Sequence, residues 1–282
     1  MVHSGAAILL ALLSLCVIPL LGAVPAAHAS SVTIDDSTSC GSIGGSWTSG
    51  NSTCFITSYT VSPGDWLNIA SGTTLTVTSL LSNDGGIQNY GTVNGLGRIV
   101  NQPALGLWNY GGTIKISNEF DNYGTLPNYG IIDVLKTGEL ENEPGPAGSI
   151  VNYGTGTINN YGDFWNGGAT DNAGSIYSNS TFSDSGVLSN GGTITNAGPM
   201  SITDSGSIDN EGTIINTCSG TFTITGGGTF TGNPVQQSVC PPASIGAPEF
   251  PVSALGPLLI TALLFPALVV MKRRFVTQPS QA

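Results

Sequence analysis

The stretch IVNYGTGTINNYGDF, residues 150–164, says Asn-Tyr-Gly twice and adds little beyond Ile, Thr and Gly. Its wider pattern, Gly-x-[Ile/Leu]-x-Asn, starts at Gly85, Gly97, Gly138, Gly148, Gly156, Gly186, Gly192, Gly206 and Gly212. Such a unit is too short for a helix, and its Gly and Asn interrupt helices, whereas its central apolar residue favours extended chain. Each copy therefore reads as a short strand ending in a turn.

A longer period lies above the short one. Asn89, Asn109, Asn128, Asn152, Asn172, Asn190 and Asn210 are each followed two positions later by Gly, at nearly even intervals of which Asn128 to Asn152 is the longest. A period of roughly 20 residues is the mark of a solenoid. The spaced leucines of leucine-rich repeats are missing, and Gly-Asn units recur more than once per period, which leaves an all-β fold, a parallel β-helix (β-solenoid). Each coil would supply two or three short strands and stack on the last at about 4.8 Å. Stacking puts the same position above itself in every coil. Val93, Ile114, Ile132, Ile158, Ile176, Ile194 and Ile214 should then form one apolar column, all β-branched and therefore stiff. The register asparagines should point inward and pass amide hydrogen bonds from coil to coil. Gly beside each is expected to provide a positive φ at the turn.

Both ends look like addresses. Residues 6–21 are nearly all apolar and Ala27-His28-Ala29 offers a small-x-small cleavage pattern, so residues 1–29 read as a secretory signal peptide despite the absence of Lys and Arg before the apolar run. Cys16 follows Leu15 rather than a small residue, so it is not read as a lipidated cysteine. Residues 252–271 carry no charge and are followed by Lys272, Arg273 and Arg274, which predicts a transmembrane helix with a cytoplasmic basic tail at 272–282. Pro248-Glu249-Phe250-Pro251 stands just before the span. The order Pro-Glu-Phe, apolar span, basic tail resembles the C-terminal sorting signal of archaeal surface proteins that are substrates of archaeosortase-type transpeptidases. That resemblance, confined to the chain from Pro248 onward, implies that the tail is removed and replaced by a lipid; a plain membrane anchor is the alternative. Either way residues 30–251 lie outside the cell. The expected organisation between the ends is an N-terminal cap at 30–58, solenoid repeats at 59–232 and a Pro-containing stalk at 233–251.

Charge and cysteines narrow the partners. All 17 acidic residues fall in the outside portion against Arg98, Lys115 and Lys136, which argues against nucleic acid, whose phosphates need clustered Lys and Arg. Cys40, Cys54, Cys218 and Cys240 remain after the leader, an even number in an oxidising setting. They are expected to staple the two ends, Cys40 to Cys54 and Cys218 to Cys240. Zinc is disfavoured, since the spacings lack a Cys-x-x-Cys pair and neither His lies beyond the leader.

Candidate sites are few. Asp184 and Asp204, one period apart, would lie on adjacent coils, with Asn166 in a similar register; they read as solvated turns or as a Ca²⁺ bridge. Glu139, Glu141 and Glu143 alternate along ELENEPGPAG in the longest coil, whose extra length implies a projecting loop, again a charged surface or a Ca²⁺ site. Tyr90, Tyr110, Tyr129 and Tyr153 follow the register Asn on four successive coils and should form an exposed stripe. It would either merely stabilise the rod by ring stacking or bind glycans or neighbouring surface proteins. Tyr123 and Tyr161 repeat the Asn-Tyr-Gly triplet out of this register and should lie on another face. Asn51-Ser52-Thr53 and Asn179-Ser180-Thr181 are glycosylation sequons. No nucleophile motif stands out. The reading is a surface-anchored structural, adhesive or envelope protein without a cofactor, with a glycan-processing β-helix enzyme as the alternative.

Overall fold

A computed structural model describes residues 30–238. The leader, Cys240, the sorting motif, the apolar span and the basic tail lie outside the described residues. Among the described residues, no helix is long and apolar enough to cross a membrane.

The chain is an all-β parallel solenoid whose coils have three faces. The first face is a ten-stranded sheet running from Ser31–Ile34 to Thr229–Gly232, and an 18-stranded sheet supplies the second and third faces. Strands Thr53–Val61 and Thr74–Asn83 cross from the second face to the third without a break, with a register shift between Ile56 and Ser58. Later coils divide that path into two strands of four residues, such as Thr92–Gly95 and Arg98–Asn101.

One of the shortest coils shows the local logic. Residues 157–162, 163–168 and 169–174 are three six-residue steps, each a strand of four followed by a two-residue corner. Side chains alternate along a strand, so the second and fourth residues point inward. These are Ile158 with Asn160, Phe164 with Asn166, and Thr170 with Asn172, all at or below 2% exposure. The anticipated apolar column is present on the second face, where Val93, Ile114, Ile132, Ile158, Ile176, Ile194 and Ile214 stand in direct register. On the third face the column is Phe120, Leu140, Phe164, Phe182 and Met200. Phe164 and Phe182 stack with centroids 4.6 Å apart. Burying each such side chain contributes about 1.5–3 kcal/mol, offsetting the backbone entropy lost in ordering the coil.

The asparagines form ladders. On the first face Asn89 donates its amide to Asn109 Oδ1 at 2.8 Å, and the chain of bonds continues through Asn128, Asn152, Asn172 and Asn190 to Asn210. The same amide nitrogen also donates to a carbonyl beyond the corner of the next coil, as from Asn109 to Ile131 and from Asn152 to Ser175. One residue type therefore ties each corner to its neighbour and satisfies a fully buried polar group. A second ladder on the third face runs Asn83, Asn101, Asn122, Asn142, Asn166 and ends on Asp184.

Gly111, beside Asn109, adopts the expected positive φ of 76°, but other corner glycines have a different cause. Gly174, Gly192 and Gly212 do not adopt positive φ. A Cβ on Gly192 would instead lie 2.1 Å from the carbonyl oxygen of Gly174, and one on Gly212 2.2 Å from that of Gly192. Glycine is required there because one coil's corner sits directly on the backbone of the coil before it.

The amino-terminal end is closed by helix Ser37–Ser42, whose first turn is held by Asp36 and Ser39 in a reciprocal cap, and by a hairpin in which Ser46–Thr48 runs antiparallel to Thr53–Val61. Cys40 and Cys54 are joined, as expected, with Cα atoms 5.6 Å apart. The first rung nevertheless starts earlier than the repeats suggested, because Ser31–Ile34 pairs with Trp66–Ile69. At the other end the coils run on past residue 232, since Gln236 and Gln237 pair with Ile215 and Asn216. Cys218 is disulfide-bonded, and Cys240, its expected partner, lies outside the described residues.

Candidate functional site

Two lines of outward side chains follow from the coil register. The first occupies the corner between the first and second faces. Each register Asn ends a first-face strand, so the residue after it turns outward, and the coil spacing puts four tyrosines over one another. Tyr90 and Tyr110 stack at 5.3 Å, Tyr110 and Tyr129 at 5.8 Å, and Tyr129 and Tyr153 at 4.1 Å, with interplanar angles of 18°, 15° and 5°. The end rings, Tyr90 and Tyr153, are exposed, and the middle two are half-buried by their neighbours. Trp108 leans on Tyr110 at 5.5 Å. The hydrogen bond with Tyr153, followed by burial, raises the Tyr129 phenol above its ordinary range, and burial does the same first for Tyr110. The stripe is thus a neutral aromatic surface with polar tips. Tyr123 and Tyr161 stand at the other two corners, after Asn122 and Asn160.

The second line is acidic and lies on the outward side of the third face. Glu119 pairs with Glu139, and Asp121 with Glu141. Glu139 and Glu141 in turn pair with Asp163 and Trp165. Arg98 sits at one end, its guanidinium bonded to Asp121 Oδ2 and 3.4 Å from Glu119. Asp121 is fully buried although it points outward, and its Oδ1 has no hydrogen-bond partner. Burial pushes the Asp121 carboxyl up to about 6 against the pull of Arg98. Burial, then the hydrogen bond and charge of Glu139, push Glu141 up to about 8.

These positions revise the acidic sites read from the sequence. Glu139 and Glu141 belong to a strand, Glu139–Asn142, and not to the projecting loop, which is the six-residue corner 143–148 and contains only Glu143. Glu139 and Glu143 remain neighbours of Glu141, but Glu119 and Asp121 also reach it: one carboxylate oxygen from each of Glu119, Asp121 and Glu141 lies within 4.8 Å of the others. Sequence reasoning misses that pair because its residues sit one coil upstream in a segment, NEFDN, that has no Glu repeat.

Asp184 is not a solvated turn. It is fully buried and ends the third-face ladder, accepting from Asn166 Nδ2 at 2.6 Å, with Oδ2 unpartnered. The alignment with Asn166 holds, but that with Asp204 does not. Asp184 faces Ile202, and Asp204 is exposed in a turn at φ 53°. One full coil carries the chain from Asp184 only as far as Ile202, and Asp204 lies two positions further on, in the corner. Asn51 and Asn179 of the sequons are both exposed, Asn51 at the end of the 3-10 helix Ser49–Asn51 and Asn179 at a corner. Ser189, Gly191, Asp209 and Glu211 line a shallow depression of about 220 Å³ on the first face.

No family model, curated protein or solved structure matches this chain. The class that can be stated is the one its coils define, an all-β parallel solenoid with a disulfide-bonded amino-terminal cap.

Proposed function

We propose that the chain is a surface-anchored structural or adhesive protein whose rigid solenoid presents the tyrosine stripe to envelope glycans or to neighbouring surface proteins. The observation that carries this reading is the stack of Tyr90, Tyr110, Tyr129 and Tyr153 along one corner. A sugar chain has apolar faces and hydroxyl rims, which suit a row of flat rings with polar tips. Stacked rings on rigid coils also lose little freedom on binding. The leader, the Pro-Glu-Phe motif and the apolar span would deliver the rod to the cell surface, held by a span or, after a sorting transpeptidase has acted, by a lipid. The exposed sequon asparagines would suit that setting.

The scaffold reading ranks above a glycan-processing enzyme for a geometric reason. Glycosidase carboxyls flank the scissile bond from two sides. Here the acidic groups lie in line along one outward sheet face.

The test is a titration of the full-length protein with polysaccharide extracted from the envelope of its own cells, followed by quenching of tyrosine emission. Tyr110→Ala and Tyr129→Ala should each weaken binding at least tenfold with little change in melting temperature, because both side chains lie outside the core. Binding that is absent, or unaltered in both variants, would refute the stripe as a binding surface.

A further inference from the structure

We infer that Glu119, Asp121 and Glu141 form a site for a hard divalent cation, calcium by preference, on the outward side of the third face. Two independent observations meet there. The first is the cluster itself, three carboxylates from two adjacent coils with an oxygen of each within 4.8 Å of the others. The second is Asp121 Oδ1. The Asp121 side chain is 0% exposed, Arg98 occupies its other oxygen, and Oδ1 is left without any hydrogen-bond partner. Buried carboxylate oxygens are normally satisfied, and a cation supplies what the protein does not.

The donor set selects the ion. All three ligands are carboxylates, without imidazole or thiolate, which suits Ca²⁺ or Mg²⁺ rather than zinc or copper. Calcium binds oxygens at about 2.3–2.6 Å, so two of its ligands can stand up to about 5 Å apart, which the observed spacing meets. Magnesium demands a near-ideal octahedron and rarely sits in an all-protein cage. The half-buried Glu119 and Glu141 leave one side open to water to complete the coordination. The charge also favours a cation. Glu119 and Asp121 share the guanidinium of Arg98, whereas Glu139, Glu141 and Glu143 crowd one another beside them. Arg98 neutralises only the Glu119–Asp121 rung; the Glu139–Glu141 rung beside it has no cation in register with it. A calcium ion bridging Asp121 to Glu141 would join the two rungs across their sheet, at the coil that carries the longest corner.

Trp165 makes the site readable, since it is the residue in register with Glu141 on the next coil. Terbium, a luminescent stand-in for calcium, should be sensitised by excitation of this indole in the full-length protein, and calcium should displace it. Calcium should also raise the melting temperature, while magnesium at equal ionic strength should do so far less. Glu141→Gln and Glu119→Gln should each weaken calcium binding at least tenfold and remove most of the thermal shift. Both side chains are half exposed, so these variants keep the fold. Glu211→Gln, at the corner between the first and second faces, should behave as wild type. Calcium affinity equal in Glu141→Gln and Glu211→Gln, or terbium emission that calcium fails to displace, would overturn the site and leave only diffuse screening of an acidic surface.

Discussion

At the scale of single residues, Asp184 is the position where the repeat and its chemistry conflict. It occupies a ladder place held by Asn in five earlier coils, but it has no proton to donate when ionised and it faces Ile202. Burial raises its carboxyl from 3.8 to about 6. In that interval the folded chain holds a proton that the unfolded chain has released, so this group's contribution to stability falls as pH rises through the window. By neutral pH the full penalty applies, on the order of 3 kcal/mol. Asp184→Asn should therefore raise the melting temperature at pH 7.5 and flatten its dependence between pH 4 and 6. Its new amide would point toward the Ser207 carbonyl, as Asn83 does toward Gly106 and Asn101 toward Thr125. A variant less stable than wild type at pH 7.5, with the same slope below pH 6, would contradict this account of the residue.

At the scale of the element, the asparagine ladder is stabilised by continuity. Asn128 accepts from Asn109 and donates to Asn152, so its loss leaves a buried donor on one side and a buried acceptor on the other. Each unmet group costs about 1–3 kcal/mol, so Asn128→Ala should destabilise by about 3 kcal/mol, measured by urea unfolding. Asn210→Ala should cost roughly half as much by the same rule, since it leaves the Asn190 amide without its ladder partner, whereas the carbonyl of exposed Asn233, the acceptor of Asn210's own amide, can turn to water. Equal losses at both positions would show that the bonds act separately and without regard to place.

The elements also show what the sequence makes legible. The first-face asparagines and the second-face isoleucines could be read because one residue type recurs at nearly constant spacing. The third-face column could not, because Phe, Leu and Met alternate there and share volume and burial rather than identity. The pairing of Asp121 with Glu141 was hidden for a related reason. Corner lengths vary between two and six residues, so equal sequence spacing does not guarantee equal register, and the same effect made Asp204 look aligned with Asp184. The need for glycine at the corners was visible, whereas its cause, a carbonyl about 2 Å from where a Cβ would stand, belongs to a neighbouring coil.

At the scale of the whole molecule, the solenoid is a one-dimensional stack in which each coil contacts chiefly the coils on either side. Ten rungs on the first face span roughly 43 Å at about 4.8 Å per step. Both the tyrosine stripe and the carboxylate cluster exist only if the coils keep their register, so register is the claim on which the rest depends. Its most direct measurement is an engineered cross-link between outward residues of adjacent second-face strands. Ser175 stands opposite Thr193, and Tyr177 opposite Thr195. In-register Cα atoms are about 4.8 Å apart, within the reach of a disulfide, whereas a two-residue offset takes them to about 8 Å, beyond it. Ser175→Cys with Thr193→Cys should oxidise to a new link found by peptide mapping without reduction, and Ser175→Cys with Thr195→Cys should not. Ready linkage of the offset pair, with none in the aligned pair, would contradict the coil register and the sites built on it.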